Sequence, residues 1–219
     1  VSRKKDEWGE SFALCCNGVD FFAMGGDYIP EDNLLSRVTR EKTEQLLKDC
    51  RDCHFNSIRV WGGGIYPDET FFDLCDEMGL VVWQDLMFAC NVYRLSAAFR
   101  DNIAREARDN LRRVRHHASL GLVCGNNEME TAWLSWDGVI RQPESLKQDY
   151  LEQFEVLLKD IAQEEAPDTF YWPSSPSSGG GFNDPNSLDR GDVHDWSVWH
   201  GRRPFSDFTK RYPRFCSEF

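Results

Sequence analysis

No stretch of this 219-residue chain approaches the ~18–20 consecutive apolar residues of a membrane span, and the first seven residues, Val1 to Glu7, lack the apolar core of a signal peptide. An initiator methionine is also missing, so the chain is expected to be part of something longer. Basic residues are in deficit: 25 Lys and Arg stand against 37 Asp and Glu, for a net charge of −12. That balance argues against nucleic acid, whose binding depends on cations neutralising phosphates, and against docking on anionic lipid. No internal repeat is visible. A Gly-rich dinucleotide turn after the first strand is absent too: Gly25-Gly26-Asp27 is too short, and Gly62-Gly63-Gly64 lacks the GxGxxG spacing. The eight cysteines give little support for a disulfide framework. Cys15 and Cys16 are adjacent, while Cys50, Cys75, Cys90 and Cys124 sit in apolar patterns where a thiol acts as a small hydrophobe. Free thiols favour a reducing, cytoplasmic compartment.

Apolar surface is sufficient for a core, at 41% hydrophobic and 13% aromatic residues. Short apolar runs predict strands over 57–61, 80–85, 120–124 and 169–172, with weaker candidates at 21–24, 192–196 and 214–217. Between them the period is that of a helix. Phe99, Ile103, Ala107, Leu111 and Val114 form one stripe, and Leu146, Tyr150, Phe154, Leu157 and Ile161 form another. Further helices are expected over 67–78, bounded by a Pro-Asp-Glu start and Gly79, and over 39–53, burying Leu46, Leu47 and Cys50. Repeated strand–helix alternation implies an α/β fold with a parallel sheet, and about seven strands fit a doubly wound sheet or a barrel. Trp61, Asp85, Asn127, Glu128, His194 and Glu218 all fall at or just beyond strand C-termini. That is the habit of a (β/α)8 TIM barrel, which is the expectation adopted. The low-complexity stretch 174–181 reads as a long loop at the active face rather than as a linker.

Several motifs have bland explanations. Cys50-Arg51-Asp52-Cys53-His54 matches the CxxCH haem pattern, but nothing nearby supplies a second axial ligand, and a helix end with both Cys facing the core is the better reading. His116-His117 is a possible metal pair. On a helix, adjacent side chains point about 100° apart, so a basic patch at a helix end is preferred. The arginines from 100 to 115 alternate with acids, as on a solvated face.

Gly125-Asn126-Asn127-Glu128 resists such a reading. A carboxylate straight after a strand, flanked by amides that can bind hydroxyls, is an unusual structural choice. Glu218 ends another strand in the same way. Two glutamates on strands of one barrel are what glycoside hydrolysis requires, one as acid/base and one as nucleophile. Trp61, Trp133, Trp136, Trp196 and Trp199 could stack on sugar faces.

The ordered motifs Val60-Trp61-Gly62-Gly63-Gly64-Ile65-Tyr66, Trp83-Gln84-Asp85-Leu86-Met87-Phe88-Ala89-Cys90-Asn91, Cys124 to Glu128, and Arg214 to Phe219 together resemble glycoside hydrolase family 2, in its β-mannosidase branch. The resemblance covers nearly the whole chain. It implies Glu128 as general acid/base and Glu218 as nucleophile of a retaining exo-glycosidase acting on terminal β-mannosyl residues. It further implies Asn127 on the sugar 2-hydroxyl, Trp61 and Asp85 lining that subsite, and His194, Trp196 and Trp136 as further lining. No metal or organic cofactor is expected. Family members carry β-sandwich domains before the barrel, and the partner implied is a β-mannoside or related oligosaccharide. Departures are His117-Ala118-Ser119 where the family has His-Pro-Ser, Leu122-Val123 for Leu-Trp, and Arg94 for a proline. Residues 1–219 are thus expected to be one catalytic barrel domain, truncated before an eighth strand. Related activities (β-glucosaminidase, β-galactosidase) and a non-catalytic sugar-binding or assembly module remain open.

Overall fold

The computed structural model describes residues 1–219. Two small antiparallel hairpins come first: β1 (Lys5–Asp6) with β2 (Gly9–Glu10), and β3 (Leu14–Cys16) with β4 (Val19–Phe21). Five parallel strands then pair in chain order: β5 (Gly25–Tyr28), β6 (Ser57–Val60), β7 (Val81–Asp85), β8 (Leu120–Cys124) and β9 (Phe170–Trp172). A second parallel pair joins β10 (Val193–His194) to β11 (Cys216–Glu218). The seven parallel strands form a partial (β/α)8 barrel.

The first barrel strand is a correction. The expected strand over 21–24 belongs partly to the β3–β4 hairpin, and the barrel starts at Gly25 instead. Gly25 and Gly26 carry no side chain, so the segment has no apolar signature. A Cβ at Gly25 would lie 2.0 Å from the Ser57 carbonyl oxygen, so close pairing with β6 requires the glycine.

The helices follow from caps and apolar stripes. Thr39 and Asp68 cap α1 (Arg40–Asp52) and α2 (Glu69–Met78), and Gly79 ends α2 at φ +72°. Leu47 is buried but Leu46 is 37% exposed, and in the haem-like motif Cys50 packs against the core while Cys53 is exposed, so only one of the two thiols faces inward as expected. Ser96 caps α3 (Ala97–Val114), which buries Ile103, Ala107, Leu111 and Val114. The site helix α4 (Met129–Ser135) leads through α5 (Asp137–Ile140) to α6 (Glu144–Tyr150). A π-helical segment, Leu151–Leu157, separates α6 from α7 (Leu158–Glu165). Leu158 is buried where Leu157 is expected, and Tyr150, Phe154, Leu158 and Ile161 form the stripe at spacings of 4, 4 and 3. No helix is long and apolar enough to cross a membrane.

Alternation along the strands divides the core. Ile58, Val60 and Val82 face outward onto Leu47, Phe71, Phe72, Leu74 and Cys75. Trp83, Leu122, Cys124 and Trp172 cluster on the other side with Phe12 and Leu14, which come from the N-terminal hairpins. Phe12 lies 4.8 Å from Trp172 and 5.6 Å from Phe215, between ring centroids. Aromatic packing thus fills the barrel's interior and leaves the strand C-termini for polar groups.

Candidate active site

The segment after β8 is shaped by its own side chains. Asn126 is sealed: its Oδ1 accepts from the Met129 N–H at 3.1 Å and from Ser174 Oγ at 2.7 Å. Asn127 extends the parallel pairing past the strands, bridging Ala89 and Ser175. Glu128 then adopts φ +59°, a left-handed conformation that costs a non-glycine residue about 1–2 kcal/mol. This turn aims its carboxyl into a cavity of about 630 Å³.

Asp27, Ile29, Trp61, Asn127, Glu128, Trp136, Trp196, His200 and Glu218 line that mouth. One oxygen of Glu128, one of Glu218 and a nitrogen of His194 lie within 4.8 Å of one another. His194 Nδ1 is 2.9 Å from Glu128 Oε1 and 3.3 Å from Glu218 Oε2. Its Nε2 faces Arg59 Nη1 at 3.3 Å. A guanidinium can only donate, so Nε2 accepts and the proton sits on Nδ1, facing the carboxylates. Burial, with the Arg59 charge adding to it, pushes the imidazole down to about 4 and keeps it neutral.

Arg59 organises the floor. It is 5% exposed, donates through Nη2 to Asp85 Oδ2 at 2.8 Å and Asn127 Oδ1 at 2.7 Å, and through Nη1 to Glu218 Oε1 at 2.9 Å. Trp196 Nε1 donates to the other Glu218 oxygen at 3.0 Å. Two donors from different elements therefore fix the Glu218 carboxyl. Glu128 has no such cationic partner in contact. Burial raises its pKa, opposed by the S–H of Cys90, whose Sγ is 3.6 Å from Oε2. Asp27, at the end of β5, is pushed up to about 7 by burial, with Arg59 opposing. Its side chain keeps 27% exposure, so solvent access moderates that shift.

Several expected lining residues lie elsewhere. Asp85 is fully buried beneath Arg59, held by Gly62 N–H at 3.0 Å and Trp83 Nε1 at 2.8 Å, so it supports the floor instead of lining the subsite. His194 is likewise sunk between the two glutamates, at 6% exposure. Trp133 faces the helical core because α4 turns it away from the mouth. Trp199 is an exposed residue packed edge-on against Phe205, outside the lining. Cys90, expected in the core, is exposed beside Glu128. Residues 174–181 do form a loop at this face, and it is firmly anchored. Ser175 Oγ donates to Asp192 Oδ2 at 2.6 Å and lies 3.0 Å from His194 Nε2. Asp27, Arg59, Asp192 and His200 escaped the sequence reading. Arg59 and Asp27 had a usable signal, a charge within or at the end of a barrel strand. The other two had none.

No family model matches the chain. β-Mannosidase B of Neosartorya fischeri is 41% identical over 228 aligned residues, which take in all of this chain and 27% of that protein. A crystal structure of β-D-mannosidase from Dictyoglomus thermophilum superposes with a TM-score of 0.92 at 38% identity, covering 99% of this chain and 26% of that one. The chain is a β-mannosidase-like member of glycoside hydrolase family 2. It spans about a quarter of the length of the relatives it matches. At 20% identity and a TM-score of 0.61, a β-glucuronidase of Bacteroides uniformis shares the fold alone with this family 2 chain.

Proposed function

We propose that residues 1–219 are the catalytic barrel domain of a retaining exo-β-mannosidase. The observation that carries this reading is the pair of glutamates meeting across one mouth, one oxygen of each in reach of the same nitrogen, His194 Nδ1, at 2.9 and 3.3 Å. A retaining pair stands about 5–5.5 Å apart, whereas an inverting pair needs roughly 6.5–9.5 Å to admit water. The β-mannosidase names of its relatives support the sugar.

In this mechanism Glu128, a half-buried acid, gives its proton to the glycosidic oxygen as Glu218 attacks the anomeric carbon. The aglycone leaves and a glycosyl–Glu218 ester remains. Glu128, now a carboxylate, takes a proton from water, whose oxygen attacks the same carbon and restores Glu218. Arg59 and Trp196 hold Glu218 in line through this cycle. The Asn127 amide serves the 2-hydroxyl, and Trp61, Trp136 and Trp196 wall the sugar. No step requires a metal. The longer relatives suggest that further domains, β-sandwiches among them, complete the working enzyme.

Removing each glutamate separately tests the roles. Glu128→Ala in the full polypeptide is expected to accumulate glycosyl-enzyme from aryl β-mannosides with good leaving groups, and azide should speed its breakdown to a β-mannosyl azide. Glu218→Ala should accumulate none. Glycosyl-enzyme accumulating in Glu218→Ala, with azide releasing the β-mannosyl azide of retained configuration from that variant, and no such intermediate in Glu128→Ala, would reverse the roles.

A further inference from the structure

A second cluster of ligating groups lies on the outer helical layer, away from the mouth. Helix α3 ends at Val114, so His116 and His117 sit in the turn that leads to β8. Freed from helical geometry, their rings approach to 4.3 Å between centroids, instead of diverging as a helix would make them. His117 stacks on Phe72 at 5.2 Å and keeps only 2% side-chain exposure. Its Nδ1 lies 2.8 Å from Asp76 Oδ2, while Asp76 Oδ1 accepts the Ser119 N–H at 2.7 Å. A carboxylate can only accept, so Nδ1 carries a proton.

The other nitrogen of this buried ring, Nε2, points at Glu69 Oε2 across 3.3 Å. A second ionic hydrogen bond would make His117 an imidazolium held between two acids, and such bonds run about 2.7–2.9 Å. The Asp76 contact has that length and the Glu69 contact does not. Tetrahedral zinc with bonds of about 2.0–2.1 Å has ligand–ligand edges of roughly 3.3–3.4 Å. Glu69 Oε1 is occupied by Arg113 Nη1 at 3.0 Å, which leaves Oε2 as the free donor. Glu69, His116 and His117 each place one ligating atom within 4.8 Å of the others. His116 is exposed, which leaves its ring open to an ion arriving from solvent.

We propose that Glu69, His116 and His117 form a binding site for a divalent transition-metal ion of the zinc class, with Asp76 fixing the His117 tautomer. Imidazole nitrogen and carboxylate oxygen suit such ions. A ligating histidine whose other N–H is held by a carboxylate is the usual supporting arrangement. The ion would tie the first turn of α2 to the turn that enters β8, clamping two helices of the barrel's outer layer.

Calorimetric titration of zinc chloride into the chelator-treated chain tests this. Accessible thiols at Cys15, Cys16, Cys53 and Cys90 are first blocked with iodoacetamide, since they would compete for zinc. His116→Ala and Glu69→Gln alter exposed side chains and should leave the fold intact. Each is expected to weaken zinc binding by tenfold or more and to abolish the zinc-induced rise in Tm. His194→Gln, which removes a ligating group from the mouth, should keep the parent's affinity. No zinc binding, a loss below tenfold in both outer variants, or a loss confined to His194→Gln would overturn the proposal.

Discussion

Replacing Arg59 with methionine keeps most of the stem's volume but removes the charge that three acids share. Asp85 is fully buried and Glu218 has 7% side-chain exposure, so neither can recover solvation by a small movement. Asp85 would retain the Gly62 and Trp83 donors, at 3.0 and 2.8 Å, and lose its 2.8 Å ion pair. Removing one partner of a buried pair costs about 3–5 kcal/mol, because the other is left uncompensated. In a domain of this size that corresponds to a fall in Tm of roughly 6–20 °C. The assay is urea unfolding of Arg59→Met, Asp85→Asn and the double variant at pH 7. Because the amide introduced by Asp85→Asn carries no charge to strand, the double variant should lose less stability than Arg59→Met alone, giving a coupling energy of about 1–3 kcal/mol. A loss under about 1 kcal/mol for Arg59→Met, or strict additivity of the two changes, would refute the reasoning.

Other parts of the structure make separate claims. Glu130 is sealed, with Oε1 accepting the Phe182 N–H at 3.0 Å and Oε2 unpartnered, and burial pushes its pKa up to about 7. A raised folded-state value means stability is lost as pH rises from the free carboxyl value of 4.5 to about 7, so Glu130→Gln should gain on the parent between pH 4.5 and 7 in thermal melts and hold that gain above it; a constant difference from pH 4.5 to 7 would contradict this. Trp133→Ala should cost about 3–5 kcal/mol in denaturant unfolding, whereas Trp136→Ala should leave stability nearly unchanged and raise KM for aryl β-mannosides. The reverse pattern would put Trp133 in the mouth. Cys90→Ala removes a donor to Glu128 and should move the alkaline limb of kcat/KM to higher pH, with little change in its maximum; a shift to lower pH would show that the thiol does not stabilise the carboxylate.

Sequence patterns reached the parts of the barrel built from apolar repetition. Strands β6 to β9 are short runs rich in apolar residues with no exposed position, and α3 carries an uninterrupted stripe, so local pattern and tertiary role agree there. They failed where backbone or packing decides without an apolar signature. Gly25 makes β5 by fitting closely against β6, and Leu158 rather than Leu157 carries the stripe into α7. The site divides in the same way. Glu128 and Glu218 stand out because acids at strand ends are unexpected, and both line the mouth. Asp85 carries the same signal but sits one layer lower, since depth below the barrel's rim is not written in strand position. The tryptophans could not be sorted at all: Trp133 and Trp136 are three residues apart, yet one is core and the other lines the cavity.

The central claim is that Glu218 forms the covalent bond to the sugar while Glu128 handles the proton. Its most direct test is a peptide map by mass spectrometry after inactivating the full polypeptide with a 2-deoxy-2-fluoro-β-mannosyl fluoride. The account predicts a single fluoro-sugar on the peptide containing Glu218, chased off by a transglycosylation acceptor. A label on Glu128 or on any other residue, or steady hydrolysis of natural β-mannosides with no label formed, would contradict it.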